Sequence, residues 1–516
     1  MIEGTPQSKQ LSRYTRDVLS ATTMWLCLGA SAAPAATRPA AELPGDVQIE
    51  HEVSDRLLLD HGVEGNAIDV ESTSGIVTLS GTTANLLAKQ RAARIAATMR
   101  GVRSIINNIQ VKPVMRLDRH IHADIRLALF ENVRTEGFQV DMDVNDGVVT
   151  LTGTVDSFQE RKLVERVASG VQGVSGVKNR IEVRIGDRID MEIADDVRGA
   201  LHWDRYIESA PITVSVEKGH VKLRGKVGSV AERKRAIADA WVIGAKGVDA
   251  SALVVDPAYA HSSQREPGKP RLSDDAIAEA IEDAFLLDPR VMSGHVFIEV
   301  DDGVVTLRGS ADVLIGKHAA AQIARNTVGV TRVRNHLRVN TEVHWDDIQA
   351  ARRIERMWQW NPYLAHFNLS AKSVNGRATL EGTVSSYFEK AEAEMLAYTV
   401  PGITYVNNNI SVIRMADPFT YNPYVDDWYP YDYDWYQFRT ETKKADQAIR
   451  QDIERELWWS PFVSADDILV EVDDGIATLS GSVNTLAERR LATENALEGG
   501  ALKVVNKLGV LASHGD

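Results

Sequence analysis

A chain of 516 residues, 44% apolar and 25% charged, has room for several folded domains and not one core. Its formal net charge of -14 excludes wrapping of nucleic acid by the whole surface and opposes anionic membranes on average, so contact with any anionic partner must be local. The single cysteine, Cys27, excludes a disulfide framework and a thiolate metal cluster.

The N-terminus has the order of an export signal. Lys9, Arg13 and Arg16 supply positive charge, and Val18 to Ala33 is mostly apolar or small. Ala30-Ser31-Ala32 and Ala33-Pro34-Ala35-Ala36 follow. Residues 1–36 are thus expected to be a signal peptide that sends the mature chain to the periplasm. The alternatives are a disordered tail and an uncleaved anchor. No later segment has the ~20 apolar residues that a membrane span needs.

Beyond it the chain repeats. Gly75, Gly147, Gly219, Gly303, Gly376 and Gly475 recur at steps of 72, 72, 84, 73 and 99 residues. Each is followed six residues later by a second glycine, from Gly81 to Gly481. Upstream of each turn, apolar residues at i, i+4 and i+8 predict one buried helix face: Ile49/Val53/Leu57 in the first copy, Ile277/Ile281/Phe285 in the fourth. Strict alternation then predicts a half-buried strand, as in Val140, Met142 and Val144. Asp-Gly, Asn-Gly, Ser-Gly or Lys-Gly closes it into a two-residue hairpin, where both central positions need φ > 0. A second strand follows. Ser157/Glu160, Ser229/Glu232, Ser386/Glu389 and Thr485/Glu488 have the spacing of capping boxes that start a second helix. A third strand carries asparagine at Asn107, Asn179, Asn335, Asn408 and Asn506, but the third copy has Ala250 there.

The expected architecture is α+β, of the α/β-type sandwich kind: six tandem α-β-β-α-β modules, each a three-stranded mixed sheet with two helices on one face. The expected modules are 46–113, 117–185, 188–256, 273–341, 344–414 and 443–512. Each is treated as having its own core. The pattern helix, Asp-Gly-Val-Val-Thr-Leu-x-Gly, helix, Gly-Val-x-x-Val-x-Asn resembles the BON (bacterial OsmY and nodulation) domain. Asp302 to Gly309, Gly329-Val330 and Val333-Arg334-Asn335 carry it most clearly. The resemblance implies bacterial envelope proteins, attachment to phospholipid surfaces, and roles in osmotic or envelope stress.

Residues 257–272 read as a linker between two sets of three modules. In 415–442, Trp428, Tyr431, Trp435 and Tyr436 interleave with aspartates, which suits contact with a glycan, a protein or a lipid interface. Packing across modules five and six, or a plain linker, are the other readings. Within 85–103, Lys89, Arg91, Arg94, Arg100 and Arg103 occur with no acid. Lys89, Arg91, Arg94 and Arg100 are therefore the candidate lipid contacts, each cation contributing ~1 kcal/mol at an anionic surface; a solvated helix face is the alternative.

No nucleophile elbow, phosphate loop or metal-chelating helix is present in the sequence. Asp301-Asp302 and Asp473-Asp474 are read as turn residues, since calcium needs six or more oxygen ligands. The expectation is a protein with no enzymatic activity, cofactor, metal or nucleic-acid partner. It would be a periplasmic envelope or osmotic-stress protein binding anionic phospholipid or envelope proteins through repeated modules. The rival expectation is an accessory or structural part of an envelope secretion or channel complex.

Overall fold

The computed structural model describes residues 43–510 except 64, 133, 136, 185–187, 208–210, 258–272, 292, 341–345, 414–443 and 484–485. The expected signal peptide, the 415–442 insertion with Trp428, Tyr431, Trp435 and Tyr436, and nearly all of the 257–272 linker lie outside the described residues.

The six copies repeat one unit. Their first helices are Asp46–Leu59, Asp118–Glu131, Asp190–Trp203, Asp274–Leu287, Asp347–Trp360 and Asp446–Trp459. Every i, i+4, i+8 stripe is buried, including Ile49/Val53/Leu57 and Ala350/Ile354/Trp358. Burial of each large apolar side chain contributes roughly 1.5–3 kcal/mol, which outweighs intrinsic helix propensity. The second helices are Leu86–Ala97, Phe158–Ser169, Val230–Asp239, Leu314–Asn326, Tyr387–Tyr398 and Leu486–Glu498. In each sheet the hairpin strands pair antiparallel and the third strand pairs parallel to the second, as in Val296–Asp301, Val304–Ala311 and Arg332–Asn335. Both residues of all six hairpin turns have positive φ, for example Asp302 at 53° and Gly303 at 72°, as a type I′ turn requires.

Three local features go beyond the expected pattern. First, the third strand is broken by its asparagine. Asn335 Nδ2 donates to the Lys317 carbonyl of the second helix, while its Oδ1 accepts from Leu337 N. Asn107, Asn179, Asn408 and Asn506 do the same. A short continuation, such as Arg338–Val339, then pairs again with the second strand. The third module lacks the asparagine and keeps one longer strand, Gly247–Val255. There the Arg233 side chain bonds the Ala250 and Leu253 carbonyls instead.

Second, the capping glutamates reach differently from copy to copy. Ser386 and Glu389 form the reciprocal box. Glu160 and Glu232 instead accept from the N–H of the residue before the cap, Asp156 and Gly228.

Third, the aspartate that opens every first helix accepts hydrogen bonds from both turn amides. Asp347 takes Asn375 N at 2.7 Å and Gly376 N at 3.1 Å, and Asp46, Asp118, Asp190, Asp274 and Asp446 repeat the clamp. The Ser373 hydroxyl, with those two amides, holds the Asp347 carboxyl below the ordinary range. Asp347→Ala should accelerate hydrogen exchange at the Asn375 and Gly376 amides by about tenfold, the worth of one charge-assisted bond. Unchanged exchange at both amides would show that the clamp holds nothing.

Four of the modules do not have separate cores, whereas module four keeps a cluster of its own and module six one that adds only Tyr206 of module three. Buried residues of modules one and three form one cluster that also takes in Trp459, and those of modules two and five form another. Two further kinds of contact link the modules. In the first, the last residue of a first helix offers its carbonyl to an amide of another module. Trp459 O accepts from Arg100 N at 3.1 Å, Trp360 O from Gln172 N at 2.7 Å, and Trp203 O from Val328 N at 3.0 Å. In the second, residues three places past two first helices meet. Tyr363 donates its hydroxyl to Gly62 O at 2.9 Å, Arg134 donates to Arg290 O at 2.8 Å, and the Tyr206 and Phe462 rings meet edge-on at 5.7 Å. Gly62 is the one glycine at this position, and a Cβ there would lie 2.8 Å from Phe388. Within Ala40–Asp516, a single compact unit, these contacts alternate through modules one, six, three, four, two and five and return to one.

Candidate functional site

The four candidate cations, three on the first module's second helix and Arg100 just past its end, do not share an exposed face. Arg91 is 4% exposed. It pairs with Asp60 through Nε at 2.7 Å and Nη2 at 2.8 Å, and lies 5.1 Å from the Phe388 ring of module five. Arg100 is also 4% exposed. Its Nη1 donates to Trp458 O at 3.1 Å, and its guanidinium stands over the Trp458 ring. Burial lowers its hold on the proton, against the attraction of Asp466. Lys89 and Arg94 are half-buried. The helix lies between its own sheet and neighbouring modules, so the side that looked solvated in sequence is packed.

The structure exposes a different basic surface. In module four the helices cover one sheet face and the strands present the other outward. Arg308, Arg332, Arg334 and Arg338 all project from that outer face and are exposed. The alternation of the strand places them there: Val333 and Asn335 turn inward while Arg332 and Arg334 turn out. Register then sets the rows. Phe297 pairs with Arg308, Glu299 with Thr306, and Thr306 with Arg334. Phe297 is 71% exposed beside them. The opposing acids are Glu299, 3.6 Å from Arg308, and Asp301. The corresponding face of module one holds Asp69 and Glu71, with Ser104 and Ile106 where module four has Arg332 and Arg334. The signal in sequence was Arg-x-Arg-x-x-x-Arg along one strand, which turns arginine to the same face.

Two cavities lie among the helices. The larger, about 670 Å³, is walled by modules one, two, three, four and six. Asp195, Asp196, Asp239 and Asp283 line it with Arg94, Lys234, Arg235 and Trp203. Burial, with Asp204 beside it, pushes the Asp239 carboxyl well up. The smaller cavity, about 130 Å³, shares Arg94 and Arg290 with it. Three of the five arginines lining the smaller one are tied into ion pairs, Arg91 to Asp60, Arg134 to Asp312 and Arg290 to Asp288. Of these pairs only Arg134 with Asp312 crosses between modules.

Asp446, Asp473 and Asp474 bring one carboxylate oxygen each within 4.8 Å of one another. The arrangement follows from the turn clamp, since both Asp446 oxygens already accept turn amides. No helix among the described residues is long and apolar enough to cross a membrane. The tryptophans that close three first helices divide in role. Trp358 is in the core and donates to Ala393 O at 3.1 Å, whereas Trp203, Trp360 and Trp459 mark the contacts between modules.

The BON domain pattern matches residues 45–113, 118–185, 189–257, 273–341, 346–414 and 445–512. Osmotically-inducible protein Y of Escherichia coli (strain K12) is 32% identical over 149 residues, 29% of this chain and 72% of that protein. Among solved structures, the C-terminal domain of CdsD, a structural protein of the type III secretion system of Chlamydia trachomatis, is 13% identical with a TM-score of 0.12. That likeness spans 41% of this chain and 100% of that one.

Proposed function

The chain belongs to the BON domain family, and from that premise we propose that it is a non-catalytic protein of the bacterial cell envelope that acts in the periplasm under osmotic stress and docks on anionic phospholipid. One observation carries the lipid reading: the outer sheet face of module four, with Arg308, Arg332, Arg334 and Arg338 around an exposed Phe297. Four cations on one flat surface can overcome the repulsion expected from a chain of net charge -14, because screening beyond ~8–10 Å makes the local patch dominate. Phe297 adds an apolar group at the same level. Arg91 and Arg100 are excluded from this role by burial, and Lys89 and Arg94 contribute little from half-buried positions.

Flotation with vesicles of phosphatidylglycerol and phosphatidylcholine tests this. Binding should require the anionic lipid and weaken with salt. Arg332→Ala with Arg334→Ala should weaken it about 30-fold, at ~1 kcal/mol per cation. An unchanged affinity would move the contact to Trp428, Tyr431, Trp435 and Tyr436. No binding by the wild type at any salt would discard the lipid reading in favour of an accessory role in protein assembly. That second reading also has an observation behind it: the helical faces of these modules already bind other modules of the same kind, as at Trp360 O and Gln172 N.

A further inference from the structure

The alternating cycle of contacts has a property that chain order hides. Modules one, three and two occupy every second place in it, and modules six, four and five the places between. Among the described residues, each of the six contacts described above joins a module from before residue 258 to one from after residue 272. Contacts within a set also occur. The Phe158 and Trp241 rings stack at 4.1 Å, and His318 stacks on Tyr398 at 4.9 Å. Ion pairs between modules also run across the two sets. Arg56 meets Glu456 at 2.5 Å, Arg356 Nε meets Glu131 at 2.9 Å, and Arg134 meets Asp312 at 2.6 Å.

We infer that residues 43–257 and 273–510 are two complementary bodies, each the binding partner of the other, and that the connection through 258–272 is not what holds them together. The chemistry of the contacts selects this pairing. Tryptophan closes the first helix in modules three, five and six, and those three supply the acceptor carbonyls. Modules four, two and one, in that order, supply the amides just before Gly329, Gly173 and Gly101. Unlike charges then choose among partners: Arg56 of module one, held by Glu52 on its own helix at 3.0 Å, turns a second nitrogen to Glu456 of module six, and Glu131 of module two takes Arg356 of module five. Arg56 is only 17% exposed and Glu456 14%, so a mismatched charge there would be largely desolvated and costly. The pairing rests on six separate contacts, so the loss of one leaves five in place.

The test uses the full chain with a protease site placed between Ser262 and Ser263. After cleavage under native conditions, both fragments should elute together at the mass of the uncut chain, down to about 100 nM. Fragments that separate while still folded, or that precipitate once cut, would overturn the inference. Glu456→Arg in the cleavable chain should raise the concentration at which the fragments part by tenfold or more. Arg56→Glu combined with Glu456→Arg should bring it back. A swap that restores nothing would show that the pairing is not selected by these contacts.

Discussion

Gly303→Val is expected to lower the stability of the folded chain by ~3 kcal/mol or more. Gly303 sits at φ 72°, a left-handed conformation that costs a β-branched residue of the order of 1–3 kcal/mol. A Cβ there would also stand 2.6 Å from the Gly329 carbonyl, which belongs to the backbone and cannot swing away. The damage should not stop at module four. Arg205 N bonds Asn326 O at 3.1 Å, Val328 N bonds Trp203 O, and Arg134 binds Asp312 and the Arg290 carbonyl. Hydrogen exchange should therefore show lost protection at Val328 and at Arg205 of module three as well as within 296–311. Loss confined to module four would mean that its contacts with modules two and three contribute little.

The second large effect is a dependence on pH set by Glu494. This glutamate is 3% exposed. It faces Arg205 at 3.8 Å across the contact between modules three and six, and Arg490 at 3.3 Å on its own helix. Burial pushes its carboxyl up to about 7, with Arg205 and Arg325 pulling against that. Its Oε2 is buried without a hydrogen-bond partner. In the unfolded chain the same group titrates near 4.3. The folded state thus binds the proton more tightly, so stability is full below about pH 4.3 and falls as pH rises to about 7. The loss is of the order of 4 kcal/mol. Glu494→Gln removes the group that titrates. Its urea midpoint should exceed that of the wild type at pH 8, and the two should converge towards pH 5. A variant less stable than the wild type at pH 8 would mean that the charge attraction of the arginines outweighs burial.

The repeat was legible because its signals are local. The type I′ turn demands glycine or a tolerant partner at two adjacent places, and the stripe at i, i+4 and i+8 needs only one helix to be read. The clamp from Asp46, Asp118, Asp190, Asp274, Asp347 and Asp446 was legible too, since each stands 29 residues before its turn glycine, but an acidic residue at a helix start has a ready explanation of its own. What could not be read was which modules touch. The basic run at Lys89, Arg91, Arg94 and Arg100 looked like a solvent-facing surface because its partners, Phe388 and Trp458, come some 300 residues later. The arginines of module four were equally visible as residues, yet their exposure depends on that sheet face being left uncovered by every other module. Trp203, Trp360 and Trp459 carried the one hint of partner choice, being present in three copies at a position held by Leu59, Glu131 and Leu287 in the others.

The alternating order of contacts also sets a clock on folding. Repeats that touch their sequence neighbours can assemble as they are made, each new copy adding to the last. Here Arg56 must find Glu456 across 400 residues, and Arg134 must find Asp312 across 178. Closing such long loops adds little to the entropy cost at equilibrium, because that cost grows only with the logarithm of length, but it slows the search for the native pairing. The first three modules are complete before any of these partners exists, and module one waits longest, since its partners are modules five and six. During that interval Val53-bearing and Ile125-bearing helices can cover their own sheets, while the surfaces that will meet Trp360, Phe388 and Trp459 stay open to solvent and to other chains. A chain so wired is vulnerable to interruption late in synthesis, when five modules are made and the two contacts that need module six are still missing.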